Sequence, residues 1–306
     1  MSGFPAGYIL REPIEADAEA AAEVLNAAGV ADGAPREITA DDIRQGLALY
    51  EVRVLETPEG ELIGYFDMYI ENERAYVDAA LHPDARGRGL GQLLLEAVET
   101  VAREHVDGRP NSLIRAAFGH ANESARALYE QNGYAYVRSF FRMEIELDER
   151  PEKPDWPEGF DVRPFRTGDE RLLYEIVTDA FRDHWEGDRR QSFEDFVRYD
   201  FAEETFRPGS TFVAYHGDEP VAELISAHRF GMGWIASLGV RRPARRQGLG
   251  EALLRHAFCA LYDEGERRVG LGVDAENPTG ATRLYERAGM HVAAQWDSYD
   301  KKIGAE

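Results

Sequence analysis

The sequence predicts an α/β protein built twice over, as two tandem domains that are each a mixed, mainly antiparallel sheet flanked by helices. Three observations carry this reading. Short apolar runs that suit strands alternate with longer patterns at helical spacing. The order of those runs restarts halfway, where Phe160-Asp161-Val162-Arg163-Pro164 echoes Tyr8-Ile9-Leu10-Arg11-Glu12. Paired motifs keep a steady offset: Gly89 and Gly248 stand 159 positions apart, and Tyr129 and Tyr285, like Gly133 and Gly289, stand 156 apart. A repeat of that length is a duplicated domain and not a solenoid. A chain of 306 residues has room for two cores of ordinary size.

In the first half, Tyr8-Ile9-Leu10-Arg11 reads as a strand and is followed by an acidic, alanine-rich helix over about 17–28. Residues 29–35 read as a loop, and Ile43, Leu47 and Tyr50 mark a second helical pattern. Val52-Arg53-Val54-Leu55 is the next strand, turned by Thr57-Pro58-Glu59-Gly60 into 62–70. A polar turn at 71–74 leads to the strand 75–81. Leu90, Leu93, Leu94, Ala97, Val98 and Val101 then fall on one helical stripe. A strand over 112–118, a helix over 123–132 and a strand over 137–147 complete the half, giving a first domain of 1–147.

Residues 148–158 carry three prolines and several charges, a composition that removes backbone donors and stiffens the chain; this is the linker. The second domain, 159–306, repeats the order. Helical patterns cover about 169–181 and 193–201. Strands at 211–215, 221–227 and 234–240 follow, the first two joined by Gly217-Asp218-Glu219. Leu249, Leu253, Ala257 and Leu261 mark the next helix. A strand at 269–273, a helix at 279–287 and a strand at 291–302 close the chain.

The net charge of −22 argues against nucleic acid or an anionic membrane as the main partner. The N-terminal residues 1–10 are too polar for a signal peptide, and no apolar run is long enough to span a bilayer, so the expected location is the cytoplasm. The single cysteine, Cys259, lies in the apolar stretch of a helix and reads as a buried thiol. The eight histidines show no metal-ligand spacing, and no metal is expected.

Against this acidic background two stretches stand out: Arg86-Gly87-Arg88-Gly89-Leu90-Gly91 and Arg245-Arg246-Gln247-Gly248-Leu249-Gly250. Each follows a strand and opens a helix. Glycines there let the backbone approach a ligand, and the first N–H groups of a helix are unpaired donors with partial positive charge. From 241 to 250 there are four arginines and no acid; from 82 to 91 there are two arginines and one acid, Asp84. A strand-to-helix turn with glycine chosen only for its dihedrals explains one such stretch, but two in matching context point to an anion site. Leu94 and Leu253 break the dinucleotide pattern G-x-G-x-x-G, and neither stretch ends in the Gly-Lys-Ser/Thr of a P-loop.

What remains, [Arg/Gln]-x-x-Gly-x-[Gly/Ala], resembles the motif of the GNAT (GCN5-related) N-acetyltransferase family, carried here by Arg86, Gly89 and Gly91 and again by Arg245, Gly248 and Gly250. A second signature of that family, N-x-x-A-x-x-L-Y followed by G-[FY], is matched by Asn122 to Tyr129 with Gly133-Tyr134. It recurs, with one inserted residue, from Asn277 to Tyr285 with Gly289-Met290. The resemblance covers essentially the whole chain as a tandem pair of GNAT domains, and in layout it is most similar to the mycothiol synthase-like branch. It implies acetyl-CoA as cofactor, its pyrophosphate held by the amides of the two loops.

Read as fold, Asn122 and Asn277 fit helix N-caps, Leu128 and Leu284 fit core positions, and Gly133 and Gly289 fit left-handed helix stops. Function enters with Tyr129 and Tyr285. Acetyl transfer from a thioester expels a thiolate, and in related acetyltransferases a tyrosine at this position protonates it, though a structural tyrosine would also fit. The resemblance maps the oxyanion donor to backbone N–H groups at Ala80-Leu81 and at Leu238-Gly239-Val240. The acceptor amine must lose a proton, usually to a carboxylate. The mycothiol synthase branch has a Glu where this chain has Trp234, which puts that branch's substrate in question. The nearest substitutes are Glu223 and Asp78, although an acid on a strand face also suits solvent. His184-Trp185-Glu186-Gly187-Asp188, between the second half's first two helices, suits an acceptor pocket or an ordinary surface loop.

The resulting expectation is an N-acetyltransferase in which the primary amine of a small molecule attacks acetyl-CoA directly, with no cysteine or G-x-S-x-G nucleophile to form a covalent intermediate. The second half is expected to carry most of the catalysis. Two other readings stay open at this stage: a non-catalytic acyl-CoA-binding regulatory module, favoured by Trp234, and a protein lysine or N-terminal acetyltransferase, favoured by the acidic surface.

Overall fold

The computed structural model describes residues 3–71, 73–106, 111–185, 192–202, 205–277 and 280–303. The chain forms two compact units that are not the two sequence halves. One comprises Met1–Phe140 with Ala294–Glu306, the other Phe141–Ala293.

In unit 1 the strand order is β1 (Ile9–Arg11), β2 (Glu51–Glu56), β3 (Leu62–Glu71), β4 (Arg74–Leu81), β5 (Leu113–Gly119) and then β12 (His291–Lys302). In unit 2 it is β7 (Phe160–Pro164), β8 (Phe212–His216), β9 (Glu219–Arg229), β10 (Met232–Val240), β11 (Arg268–Asp274) and then β6 (Ala135–Glu146). The meanders β1–β4 and β7–β10 are antiparallel, while β4–β5 and β10–β11 are parallel. The final strands are thus exchanged relative to the sequence halves. Side-chain contacts fix the exchange: Tyr299 of β12 stacks on Phe118 of β5 at 5.1 Å, and Asp300 takes a two-pronged ion pair from Arg115 at 2.7 Å. Met143 and Leu147 are buried in the core of unit 2.

Each sheet is covered on both faces, and the two-residue period of the strands sorts side chains between the layers. In unit 1, Tyr65 and Val54 pack toward α1 (Ala18–Ala31) and α2 (Ala40–Leu47). Phe66, Val77 and Ile114 pack toward α3 (Leu90–Val106) and α4 (Glu123–Gln131). In unit 2, Val213 and Ile225 meet α5 (Glu170–Ala180) and α6 (Phe193–Asp200), while Leu224, Ile235 and Leu271 meet α7 (Leu249–Asp263) and α8 (Ala281–Arg287).

Two local expectations are corrected. Helix α1 runs on through the start of the segment read as a loop at 29–35. Gly29 is helical, and its hydrogen replaces a side chain that would strike the carbonyl of Ala34, 2.8 Å away; the left-handed Gly33 turns the chain instead. Asn277 is not a helix N-cap: α8 is capped by left-handed Gly280. Asn122 does cap α4, accepting from the Ala125 N–H at 2.8 Å, and Gly133 and Gly289 stop their helices with positive φ. Cys259 is buried, its thiol donating to the linker carbonyl of Pro151 at 3.3 Å. No helix among the described residues is long and apolar enough to cross a membrane.

Candidate active site

In both units the parallel strand pair opens where the Gly-rich loop begins. The ladder between β4 and β5 joins Arg74–Val77 to Leu113–Ala116, and past it Ala79–Leu81 and Ala117–Gly119 line a cavity of about 300 Å³. Its wall includes Arg86, Gly87, Gly89, Gly91, Asn122 and Tyr129, so much of the first half's expected set converges on one space. Between β10 and β11 the ladder covers Gly233–Ile235 against Val269–Leu271, and a bulge between Ile235 and Ser237 re-aims the strand toward the second loop.

The two loops share a backbone. Gly89 and Gly248 both have left-handed φ, at 79° and 81°, at the starts of α3 and α7. Gly91 and Gly250 let α4 and α8 approach, since a Cβ at either would lie 3.4 or 3.1 Å from Leu128 or Leu284. At the next repeat position the loops differ: Gly87 has φ 75°, and its counterpart Arg246 adopts φ 61°. A left-handed arginine costs about 1–2 kcal/mol, and such outliers gather at functional loops. Arg88, Leu90, Gln247 and Leu249 complete the two stretches, with Leu90 and Leu249 buried as core anchors of their helices.

Several charges around the loops are already engaged. Arg86 is held by Asp32 (2.5 and 3.1 Å), which also accepts from the Asn122 amide at 2.9 Å, and all three line the cavity. In unit 2, Arg245 donates to the carbonyls of Val240 and Ala180 at 2.9 and 2.6 Å. The exposed Arg242 takes Asp183 as partner, and Asn277 donates to His184 Nε2 at 2.9 Å. Asp32 and Asp183 belong to the turns that end α1 and α5, and neither is visible in a count of charge along the loop.

The proton-handling groups diverge further. Glu223 on β9 is 0% exposed. Ser237 Oγ donates to its Oε1 at 2.8 Å, and its Oε2 has no partner among the described residues. Burial pushes this carboxyl up to about 8 against the pull of the Ser237 hydrogen bond, with the nearby Asp200 adding to the rise. Room for the carboxylate comes from Gly239, where a Cβ would lie 2.6 Å from Glu223 Oε1. Tyr285 is buried, and burial together with the Glu223 charge pushes its phenol up to about 12.

In unit 1 the register position of Glu223 is held by Tyr65, which faces Ala80 as Glu223 faces Gly239; Asp78 stands where the other unit has Ser237. Asp78 is bound in a two-pronged ion pair by Arg36. Asp67, opposite Asp78, accepts from the Tyr65 hydroxyl at 3.0 Å, and burial, then the Asp78 charge, pushes it up to about 7. Tyr129 is stacked on Phe118 at 5.1 Å, and burial raises its phenol well above the usual range.

Sequence reasoning passed over Asp32, Arg36, Asp67 and Ser237. Ser237 was within reach: it lies 159 positions after Asp78, the offset of the loops themselves. Trp234 fills a groove of glycines, since a Cβ on Gly270 would lie 2.9 Å from its ring, and its role here is packing. His184 and Trp185 are placed as expected between α5 and α6, while Glu186, Gly187 and Asp188 lie outside the described residues, as do Pro278 and Thr279.

The chain belongs to the acetyltransferase (GNAT) family, whose model matches residues 32–134 and 171–290. It is an acetyltransferase of the GNAT type, a family whose members use acetyl-CoA as co-substrate. A mycothiol acetyltransferase of Salinispora tropica is 31% identical over 95% of this chain and 93% of its own length. A GCN5-related N-acetyltransferase from Sphaerobacter thermophilus has a solved structure that matches with a TM-score of 0.86 at 34% identity, covering 99% of each chain. A tandem GNAT protein from the clavulanic acid biosynthesis pathway shares the fold, with a TM-score of 0.71 at 15% identity over 98% of this chain and 99% of that one.

Proposed function

We propose that the chain transfers acetyl from acetyl-CoA to the primary amine of a small molecule, and that the second half carries most of the catalysis. The observation that carries this reading is the buried carboxyl of Glu223, held by Ser237 just past the point where β10 leaves β11. A carboxyl near 8 is ionised in only about a tenth of molecules at pH 7, but that fraction takes a proton from an ammonium more readily than an ordinary carboxylate does, so turnover is expected to rise with pH through about 8.

The loops fit the cofactor. Unpaired N–H groups at the starts of α3 and α7, next to left-handed glycines, suit a pyrophosphate, and the diverging strand edges offer backbone donors and acceptors to an extended, amide-bearing ligand. Bound there, acetyl-CoA supplies an activated acyl group and a thiol leaving group. Arg245, Arg246, Gln247, Gly248, Leu249 and Gly250 would hold it in unit 2, and Arg86, Gly87, Arg88, Gly89, Leu90 and Gly91 in unit 1, with Asn277 and Asn122 beside them. Leu238 and Val240, and in unit 1 Ala80 and Leu81, would offer backbone N–H groups to developing negative charge, the Gly239 N–H being turned to Glu223. Tyr285 keeps its proton at neutral pH and can give it to the departing sulfur. We assign a cytoplasmic location and no nucleic-acid or membrane partner on the strength of the acidic composition.

The test is thiol release from acetyl-CoA over a panel of small amines, with the amine precursor of mycothiol and basic peptides included, alongside calorimetric titration with coenzyme A. Turnover of a small amine is the expected result. Binding without turnover of any amine or peptide would leave a binding module, and turnover of peptides alone would make the chain a protein acetyltransferase.

A further inference from the structure

We propose that Ser237 is the hydroxyl that carries the acceptor's proton to Glu223, a role that rests on the reading of Glu223 as the final proton acceptor. Glu223 has no exposed surface, so an amine in the site cannot touch it. It shares a face of β9 with Ile225, beneath α5 and α6, and the end of α5 closes over it: the Cβ position of Gly239 lies 2.6 Å from Glu223 Oε1 and 2.9 Å from Ala180. Ser237 bonds it at 2.8 Å and is itself only half-buried. The serine stands just past the bulge in β10, where the strand leaves its parallel ladder. The other unit shows that this position reaches the outside: Asp78, its register counterpart, keeps 36% of its side chain exposed.

The transfer balances. The N–H bond of the acceptor ammonium breaks as Ser237 Oγ takes that proton, while the Ser237 O–H proton passes to Glu223 Oε1. Serine ends neutral, the carboxylate becomes a carboxylic acid, and the nitrogen keeps the electron pair with which it attacks the acyl carbon. The groups that act on Glu223 are Ser237 and the Gly239 N–H on β10 and Asp200 at the end of α6, while Tyr285 on α8, in the layer across the sheet, feels the Glu223 charge. Asp200 raises the affinity of Glu223 for the proton and Ser237 lowers it, so deleting the hydroxyl shifts the carboxyl further up.

The experiment uses the full chain as Ser237→Ala, Ser237→Thr and Glu223→Gln. Carboxyl resonances are followed by NMR with 13C-labelled glutamate, Glu223→Gln providing the assignment. Glu223 is expected to titrate well above the ordinary carboxylate range, to move up in Ser237→Ala and to return in Ser237→Thr. A carboxyl titrating in the ordinary range, or unmoved by Ser237→Ala, overturns the proposal whether or not an acceptor is in hand. With an amine from the panel, Ser237→Ala is expected to lose about thirtyfold or more in kcat with unchanged coenzyme A affinity, and Ser237→Thr to recover most of it. Loss in Glu223→Gln with full kcat in Ser237→Ala overturns the relay alone. Full kcat in Glu223→Gln overturns the underlying assignment of the acceptor.

Discussion

The two Gly-rich loops and the strands that feed them make a controlled comparison within one chain. Arg86 and Arg245, Gly89 and Gly248, Gly91 and Gly250, and Tyr129 and Tyr285 keep identity, with Gly89 and Gly248 left-handed and both tyrosines buried. The residues one strand pair away do not: Tyr65 against Glu223, Asp78 against Ser237, Ala80 against Gly239. The backbone frame that suits an anionic cofactor is therefore repeated, and the groups able to move a proton are not. Asp78, the first half's candidate base, is engaged by Arg36, whereas Glu223 keeps an oxygen without a partner among the described residues. On the proposed reading, this difference puts the chemistry in the second copy and leaves the first with a cavity and a loop.

The largest effect that sharpens this contrast is expected from Glu223→Gln, which removes the proposed proton acceptor and keeps the shape. Turnover should fall by roughly 100- to 10,000-fold, with coenzyme A affinity unchanged. Asp78→Asn should leave turnover nearly intact and show its cost as lower stability, because it strips Arg36 of its partner. Equal losses in the two variants would erase the distinction between the halves.

A smaller effect is expected from Tyr285→Phe, about ten- to a thousandfold in kcat, since only the phenolic proton is lost. Tyr129→Phe should be nearly silent in turnover. Unimpaired activity in the double variant would remove both tyrosines from the mechanism.

Stability offers a third contrast. The folded-state pKa of Glu223 lies above its ordinary 4.5, so the folded chain holds a proton that the unfolded chain has already released. That contribution is fully present below about 4.5 and is lost as pH rises through about 8. Urea unfolding at pH 5 and pH 9 should show Glu223→Gln gaining on the wild type at the higher pH, by an amount on the order of a few kcal/mol. A constant difference across that window would mean that the carboxyl is not perturbed.

The smallest effect concerns the loops themselves. Arg246→Gly relieves a left-handed arginine and adds backbone freedom, so stability should change by less than about 1 kcal/mol. Coenzyme A affinity should fall only a few-fold if backbone amides do most of the binding, as calorimetry can show. A fall of more than about tenfold would transfer that role to the guanidinium charge.

Much of this was legible in the sequence because it is local. Loop glycines, the Asn122 cap, the helix stops at Gly133 and Gly289 and the antiparallel meanders all follow from residues within a few positions of one another. What escaped depends on contacts distant in sequence. The exchange of β6 and β12 is set by Tyr299 on Phe118 and Asp300 on Arg115, and a strand pattern names its faces but not its neighbour. Asp32 and Arg36 reach the first site only because α1 runs past Gly29 and turns at Gly33. The apparent N-cap at Asn277 failed because the inserted residue moved the start of α8 to Gly280, freeing Asn277 to bond His184.

The assignment of catalysis to the second copy is tested most directly by blocking each loop in turn. A Cβ at Gly89 meets nothing within 4 Å, and one at Gly248 makes only an ordinary 3.8 Å contact with Pro157, so a side chain can leave the backbone at either position, at the cost of the strain of a left-handed residue. Gly89→Trp and Gly248→Trp are compared in one acetyl-transfer assay, with coenzyme A binding measured in parallel. Turnover should survive Gly89→Trp and be lost in Gly248→Trp. Survival in Gly248→Trp with loss in Gly89→Trp would place the chemistry in the first half and contradict the assignment made from Glu223.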